Sequence, residues 1–427
     1  MKKVAQNMKK QFLVSIVSLV LVIDMYTIDN PHFYRANFFW GEPRFEKSWL
    51  TTFDISLAGG STTKARNNKG QITPLLTIYG LQNMRVLATN VHNLNSANPL
   101  ENILIQLAQT PARENFGKLE YHGQFSTIES TLNLYQNIVN GFFLQAYLPI
   151  RYLRIGNVNF VDQSPIDDIF PNAQTPVWVD FLQNFDAVLS QFQLKVRSTS
   201  EASIGDFSLL AGWARNYEET CYIDYIDVDA KIGVLFPTAK KRNEDEVFSL
   251  PVGYNGHYGV PLKFNCSLGY WEWLTAGLHI GALFLIEKNQ IIRMKTAAEQ
   301  NGFFDLLKGN AKIDPGTLWE VSGYLKADHF AKGLSCLVGY TFTRKDRDCI
   351  NPFDTIEFDP LIVNSDQRFF SWNMHVIHFM AEYDFTKKSS DLGPRLGFFY
   401  NLIVGGKRIF NTGITNSYVG IDCSWEF

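Results

Sequence analysis

The chain has 427 residues, of which 46% are hydrophobic and 14% aromatic, and its formal net charge is −3. That balance excludes a basic nucleic-acid binder, because phosphate contacts need an excess of Lys and Arg. With 34 Phe, 18 Tyr and 30 Gly, the composition suits strands, turns and the aromatic girdles of membrane interfaces.

At the N-terminus, Lys2, Lys3, Lys9 and Lys10 precede an apolar run from Phe12 to Ile23 that Asp24 closes. The run is too short for a spanning helix, which needs ~20 residues, and it matches the core of a secretory signal. We therefore expect a signal peptide over 1–25. No small-residue cleavage site marks its end, and an N-terminal membrane anchor is the alternative. No later stretch is long enough for a transmembrane helix.

From about residue 45 onward, apolar residues recur at every second position. Residues two apart in a strand share a face, so each segment reads as a strand with one apolar and one polar side. Thr51, Phe53, Ile55 and Leu57 oppose Thr52, Asp54 and Ser56. Leu119, Tyr121 and Phe125 oppose Glu120, His122 and Gln124, and the strand continues toward Leu134 after a bulge near Thr127. Leu144 to Tyr152 oppose Gln145, Tyr147 and Arg151. Phe207, Leu209, Ala211 and Trp213 form the next segment. Ile226, Val228, Ala230 and Ile232 then oppose Asp227, Asp229 and Lys231.

The second half continues the pattern. Leu262, Phe264 and Cys266 oppose Lys263 and Asn265, and Leu278 and Ile280 oppose Thr275 and His279. Val321 and Leu325 oppose Glu320 and Lys326, and Val338 and Tyr340 oppose Ser335 and Thr341. Around 371–385 the parity is mixed, but Glu382 and Asp384 set Phe379, Ala381 and Tyr383 outward. Leu396 to Val404 oppose Arg395 and Asn401, and a terminal strand ends at Phe427. About twelve strands result, with loose boundaries.

The connections alternate between short and long. Short ones fall near 137–140, 216–221, 269–272, 329–333 and 386–391, and long ones near 59–116, 156–202, 237–257, 287–316, 345–370 and 405–412. A meander places alternate turns at opposite ends, so all the short turns share one rim. Short periplasmic turns with longer external loops are the pattern of outer-membrane barrels, whereas a soluble sandwich has no reason to segregate its loops. The expected fold is all-β: a transmembrane antiparallel up-and-down β-barrel over 45–427, of about twelve strands, with short helices in loops 59–116 and 156–202.

Those helices are visible as 3.6-residue periodicity. In 98–109, Leu100, Ile103, Leu104 and Leu107 fall on one face. In 175–196, Thr175 is a cap and Pro176 opens a helix whose stripe includes Phe181, Leu182, Phe185, Val188 and Leu189. Helices this apolar are expected to cap the mouth or enter the lumen rather than face water.

The last eleven residues, SYVGIDCSWEF, set Val419, Ile421, Cys423, Trp425 and Phe427 on one face. A terminal aromatic preceded by alternate apolar residues resembles the C-terminal signature of Gram-negative outer-membrane β-barrel proteins of porin or transporter type. The resemblance implies an outer-membrane location and a partner, the barrel-assembly machinery, that reads Val419, Ile421, Trp425 and Phe427. "GDFSLLAGW" (205–213) is also similar to strand openings in some transport-type barrels.

Little in the sequence carries covalent chemistry. Cys266, Cys336 and Cys423 lie on the outward parity, and Cys221 and Cys349 belong to opposite rims, so no disulfide is expected. No clustered metal spacing or G-x-S-x-G motif occurs, and 344–360 reads as a solvated acidic loop rather than a calcium site. Neither a cofactor nor a catalytic set is expected. The inward parity instead carries charge: Asp54, Glu120, His122, Asp227, Asp229, Lys231, Lys263, His279, Glu320, Lys326 and Arg395 are the candidate lumen-lining residues. Asp227 and Asp229 are two apart on one face and repel unless water or cations share the space. Buried charges must be paired or wet, which leaves two readings: a polar channel with slight cation preference, or a lumen packed by salt networks. The expected function is an outer-membrane channel or transporter for small solutes with a constricted mouth, surrounded by outer-membrane lipid. A sealed structural or surface-interaction barrel is the alternative, and an outer-membrane hydrolase a further one.

Overall fold

The computed structural model describes residues 49–424 apart from positions 90, 92–93, 111–115, 165–174, 219–222, 272, 332 and 386–392. The expected signal segment 1–25, and Trp425 and Phe427, lie outside the described residues.

Twelve strands are 12 to 21 residues long: β1 Leu50–Thr62, β2 Lys118–Asn137, β3 Phe142–Asp162, β4 Phe207–Glu218, β5 Tyr225–Phe236, β6 Gly259–Tyr270, β7 Leu274–Leu285, β8 Leu318–Ala331, β9 Leu334–Lys345, β10 Trp372–Asp384, β11 Gly393–Lys407 and β12 Gly413–Ser424. Each exceeds the 9–11 residues that a tilted strand needs to cross a bilayer. Pairing is antiparallel and follows chain order from β1 to β12. β12 pairs in turn with β1, setting Ile421 opposite Phe53 and Val419 opposite Ile55.

Up to β10 the connections divide as the sequence suggests, although β1 continues to Thr62 and β3 to Asp162, past the predicted loop starts at 59 and 156. The last pair departs, because β11 runs to Lys407 and leaves only 408–412 where a long loop was expected over 405–412, shorter than the connection 385–392. The β2–β3 hairpin turns on Asn140 and Gly141, both at positive φ. This is the conformation for which Asn-Gly is selected, and a Cβ on Gly141 would sit 2.0 Å from the Ala214 carbonyl oxygen.

At mid-strand the sheet is apolar on its outer face and polar on its inner face. Leu278 and Ile280 are 44% and 43% exposed, while His279 between them is 1% exposed. Phe53, Ile55, Ile232, Phe264, Val321 and Leu325 are likewise exposed, forming an apolar belt of the kind that meets lipid. No helix among the described residues is long and apolar enough to cross a membrane.

Toward the long-loop end, polarity inverts. On β2 the odd positions stay inward along the whole strand, so Thr127, Glu129 and Thr131 are buried, and so are Leu119, Tyr121 and Phe125. No bulge occurs near Thr127, where the register with β1 runs unbroken from Phe125 to Gln136. The irregularity lies instead between His122 and Gln124 opposite β3, near Asn157, which takes φ +54°. Glu120 and His122 therefore point outward. The rule that polar residues face inward holds only inside the bilayer. Above it the outer face meets water and the inner face meets the loops.

Candidate functional site beneath the outer loops

The long connections build a second core over one end of the sheet. Five α-helices lie within them among the described residues: α1 Met84–Thr89, α2 Pro99–Gln109, α3 Thr175–Gln183, α4 Phe185–Gln191 and α5 Pro360–Val363. Asn98 caps α2 by accepting from the Leu100 amide at 3.1 Å, with Pro99 in the first turn. The predicted stretch from Thr175 breaks into two helices at Asn184, and Phe181, Phe185, Val188 and Leu189 are buried together with Ile103, Leu104 and Leu107 of α2. Leu119, Tyr121 and Phe125 of β2 join the same cluster, as do Phe248, Phe303 and Phe304 from later loops. Trp178 stacks on Phe181 at 5.3 Å between centroids.

A cavity of about 220 Å³ lies at this core. Its apolar wall includes Ile78, Ile155, Phe248, Phe303, Trp372 and Phe410, and its polar wall Arg242, Glu244, Arg293, Lys345, Asp348, Arg368 and Arg408. Most of these charges are matched. Arg293 Nη2 lies 3.3 Å from Asp245 Oδ1, and its Nε donates to the Glu244 carbonyl at 2.6 Å. Arg368 pairs with both Asp305 and Asp366, and Lys345 with Asp348. Burial raises the Asp305 carboxyl to about 6 and lowers the Lys295 ammonium nearby. Arg408 differs: its Nη1 donates to the Ser371 carbonyl at 2.7 Å, its guanidinium lies 5.1 Å from the Phe370 ring centroid, and no carboxylate among the described residues is within ion-pair reach.

Below the cavity, the inner face carries a hydrogen-bonded polar girdle. Arg151 and Glu129 form an ion pair with 5% and 1% of their side chains exposed, and Arg151 Nη1 also donates to the Val252 carbonyl at 2.9 Å. A second row runs Lys231–Asp229–Asn265–His279–Glu320. In it Lys231 Nζ donates to the Tyr135 hydroxyl at 3.2 Å, Asn265 donates to Asp229 at 2.7 Å, and His279 Nε2 lies 3.4 Å from Glu320. A third joins Thr341 to His378 Nε2 and His378 Nδ1 to Asn401, both at 2.6 Å. This hydroxyl–imidazole–carboxamide order is the one a hydrolase would use. Ser322 also bonds Thr341 at 2.8 Å, and none of the three residues lines the cavity.

No family model matches the chain, and no curated protein matches it. Among solved structures, an outer-membrane channel from Pseudomonas putida F1 superposes with a TM-score of 0.51 at 11% identity, covering 90% of this chain and 98% of that one. The chain has the outer-membrane β-barrel fold of Gram-negative bacteria. The β domain of the Bordetella autotransporter BrkA (TM-score 0.33, 9% identity, 88% of this chain and 100% of that) and a mutant of the TodX monoaromatic hydrocarbon channel (TM-score 0.35, 9% identity, 90% and 92%) are more distant.

The sequence-predicted residues scatter within this barrel. Asp229, Lys231, His279 and Glu320 come together in one row. Asp54 accepts from Arg395 at 3.4 Å and from Asn133 at 3.3 Å. Asp227 accepts from Asn216 at 2.7 Å, so the charges of Asp227 and Asp229 are held by separate amides rather than by water alone. Lys263 pairs in register opposite Lys231 on the inner face, and Lys326 meets Asp328 at 3.4 Å near the short-turn end. Glu120 and His122 lie 3.7 Å apart on the outer face above the apolar belt, with Gln163 donating to Glu120, and line no lumen. Cys266, Cys336 and Cys349 are free thiols. Acidic residues of 344–360 serve local contacts, as where Asp354 accepts from the Ile356 and Glu357 amides.

Sequence reasoning missed Glu129, because a bulge placed near Thr127 left its parity undefined. It also missed Arg242 and Arg408, which lie in irregular loops where no period applies.

Proposed function

We propose that the chain is a channel or transporter for small solutes in the outer membrane: a closed barrel of twelve strands whose outer mouth is constricted by the loop helices. Closure is supported by the pairing, since each long strand hydrogen-bonds a neighbour on both sides and β12 returns to β1. The observation that carries the transport reading is the cavity between the loop core and the barrel wall, with an apolar side and a charged side, where a solute can pause. The Pseudomonas putida protein of the same fold is an outer-membrane channel, which agrees with this reading. The tail residues Val419, Ile421, Trp425 and Phe427 are proposed as the signal for the barrel-assembly machinery.

A sealed barrel is the second reading, favoured by the girdle, in which Glu129, Arg151, Asp229, Lys231 and His279 are all buried. Swelling of liposomes containing refolded protein separates the two. A channel gives solute flux that rises when the loop core is loosened by Phe181→Ala. If neither protein admits solute while both are folded, the sealed reading stands.

A further inference from the structure

We infer that the cavity beneath the loops binds a small organic anion with a planar apolar body, its acid group held between Arg408 and Arg242. This deepens the channel reading and rests on it for where the molecule goes next, but not for binding itself.

The argument begins from two cations. Among the described residues Arg408 Nε is buried with no hydrogen-bond acceptor, and the guanidinium has a backbone carbonyl and an aromatic face beside it. Arg242 Nε is also buried without a hydrogen-bond acceptor among the described residues; it forms an ion pair with Glu244 at 3.8 Å, too long for a hydrogen bond, while its Nη2 donates to the Val247 carbonyl at 3.4 Å. A guanidinium taken from water without a counter-charge, as Arg408 is, is unfavourable, and a carboxylate is the partner its forked donors fit best.

Both side chains line one cavity together with Tyr79 and Arg368, and the Arg368 guanidinium is already taken by Asp305 and Asp366. The acids already lining the cavity are committed elsewhere. Asp348 holds Lys345 and the Gly316 amide, and Glu244 reaches the Arg293 amide at 3.4 Å. An incoming cation therefore finds no free acid, whereas an incoming anion finds two under-satisfied donors.

The rest of the wall selects the body of the ligand. Phe248, Phe303, Trp372 and Phe410 offer apolar and aromatic surface, which suits a ring and would desolvate a bare inorganic anion without return. A volume of about 220 Å³ exceeds the ~150 Å³ of an apolar cavity known to admit benzene, leaving room for an acid group.

The test uses the full chain refolded in detergent, with folding checked by heat-modifiable gel mobility and binding measured by calorimetry. The probes are benzoate, benzyl alcohol and acetate. Benzoate should bind saturably, and the neutral ring and the ringless acid should each bind at least about tenfold more weakly. Arg408→Gln should weaken benzoate by about tenfold or more and leave benzyl alcohol unchanged. If Arg408→Gln does not fold, Arg242→Gln makes the same test. No benzoate binding by the folded wild type, equal binding of benzyl alcohol, or indifference to the substitution overturns the inference. Liposome flux is read separately. Saturable benzoate binding without flux sinks the channel reading and leaves this inference standing, while flux without binding does the reverse.

Discussion

The middle of the barrel and its outer end are built by opposite rules from the same strands. At mid-strand, Leu278 and Ile280 face outward while His279 is buried in a hydrogen-bonded row. Higher on β2, Leu119 and Tyr121 are buried while Glu120 and His122 face out. The backbone parity does not change between these regions. What changes is the solvent, lipid below and water above, and what fills the inside, polar side chains below and apolar helices above. A barrel strand therefore has no fixed polar face, only a face matched to its depth.

The largest expected effect lies in the girdle. Glu129→Leu strands the buried Arg151 guanidinium, and breaking such a pair costs about 3–5 kcal/mol. Replacing both partners, with Arg151→Met added, should recover most of that loss. Urea unfolding of the reconstituted protein measures both variants. A double variant no better than the single would mean that the girdle is valued for contacts other than the ion pair.

The outer face comes next. Leu278→Arg should cost about 2–4 kcal/mol in the same measurement, as cations do at mid-membrane. His122, on the same parity class but above the apolar belt, should accept Arg with almost no loss. Equal penalties at the two sites would remove the depth rule.

In the loop core, Leu107→Ala empties a fully buried position. The expected cost is about 2–3 kcal/mol, the lower part of the usual range because the surrounding helices are short and can close on the gap. Proteolysis of the outer loops should accelerate while strand protection holds. Loss of both together would show the two regions to be one cooperative unit.

The smallest effect concerns pH. His257 Nδ1 faces the Ile286 carbonyl at 2.9 Å and its Nε2 lies 2.9 Å from Gln290 Nε2, so the neutral ring is satisfied at both nitrogens. Burial holds its pKa below the ordinary histidine value. The unfolded chain then takes up a proton that the folded loop refuses, so stability is full above about pH 6.5 and falls as pH drops through the folded pKa. His257→Gln should flatten that acid-side slope in thermal unfolding. An unchanged slope would assign it to other groups.

The alternation of Phe53, Ile55 and Leu57 against Asp54, and of Ile232 against Lys231, was legible in the sequence because lipid on one side and polar packing on the other impose a period of two. Loop asymmetry was legible for a similar reason: turn residues and strand ends leave local marks. Helix α2 was readable from its 3.6-residue stripe. These are properties of near neighbours in the chain.

The tertiary structure alone decided which face each depth required. Glu120 and His122 look inward-facing by alternation, and only the loops packed on Tyr121 and Phe125 reverse that reading. It also decided which charges meet, since Arg151 reaches Glu129 22 residues away and Arg395 reaches Asp54 across 341. The cavity is the extreme case. Tyr79, Arg242 and Arg408 come from three separate loops, and no spacing along the chain relates them. Their convergence depends on how the loops fold over the barrel, which is set by apolar burial among distant segments rather than by any local period.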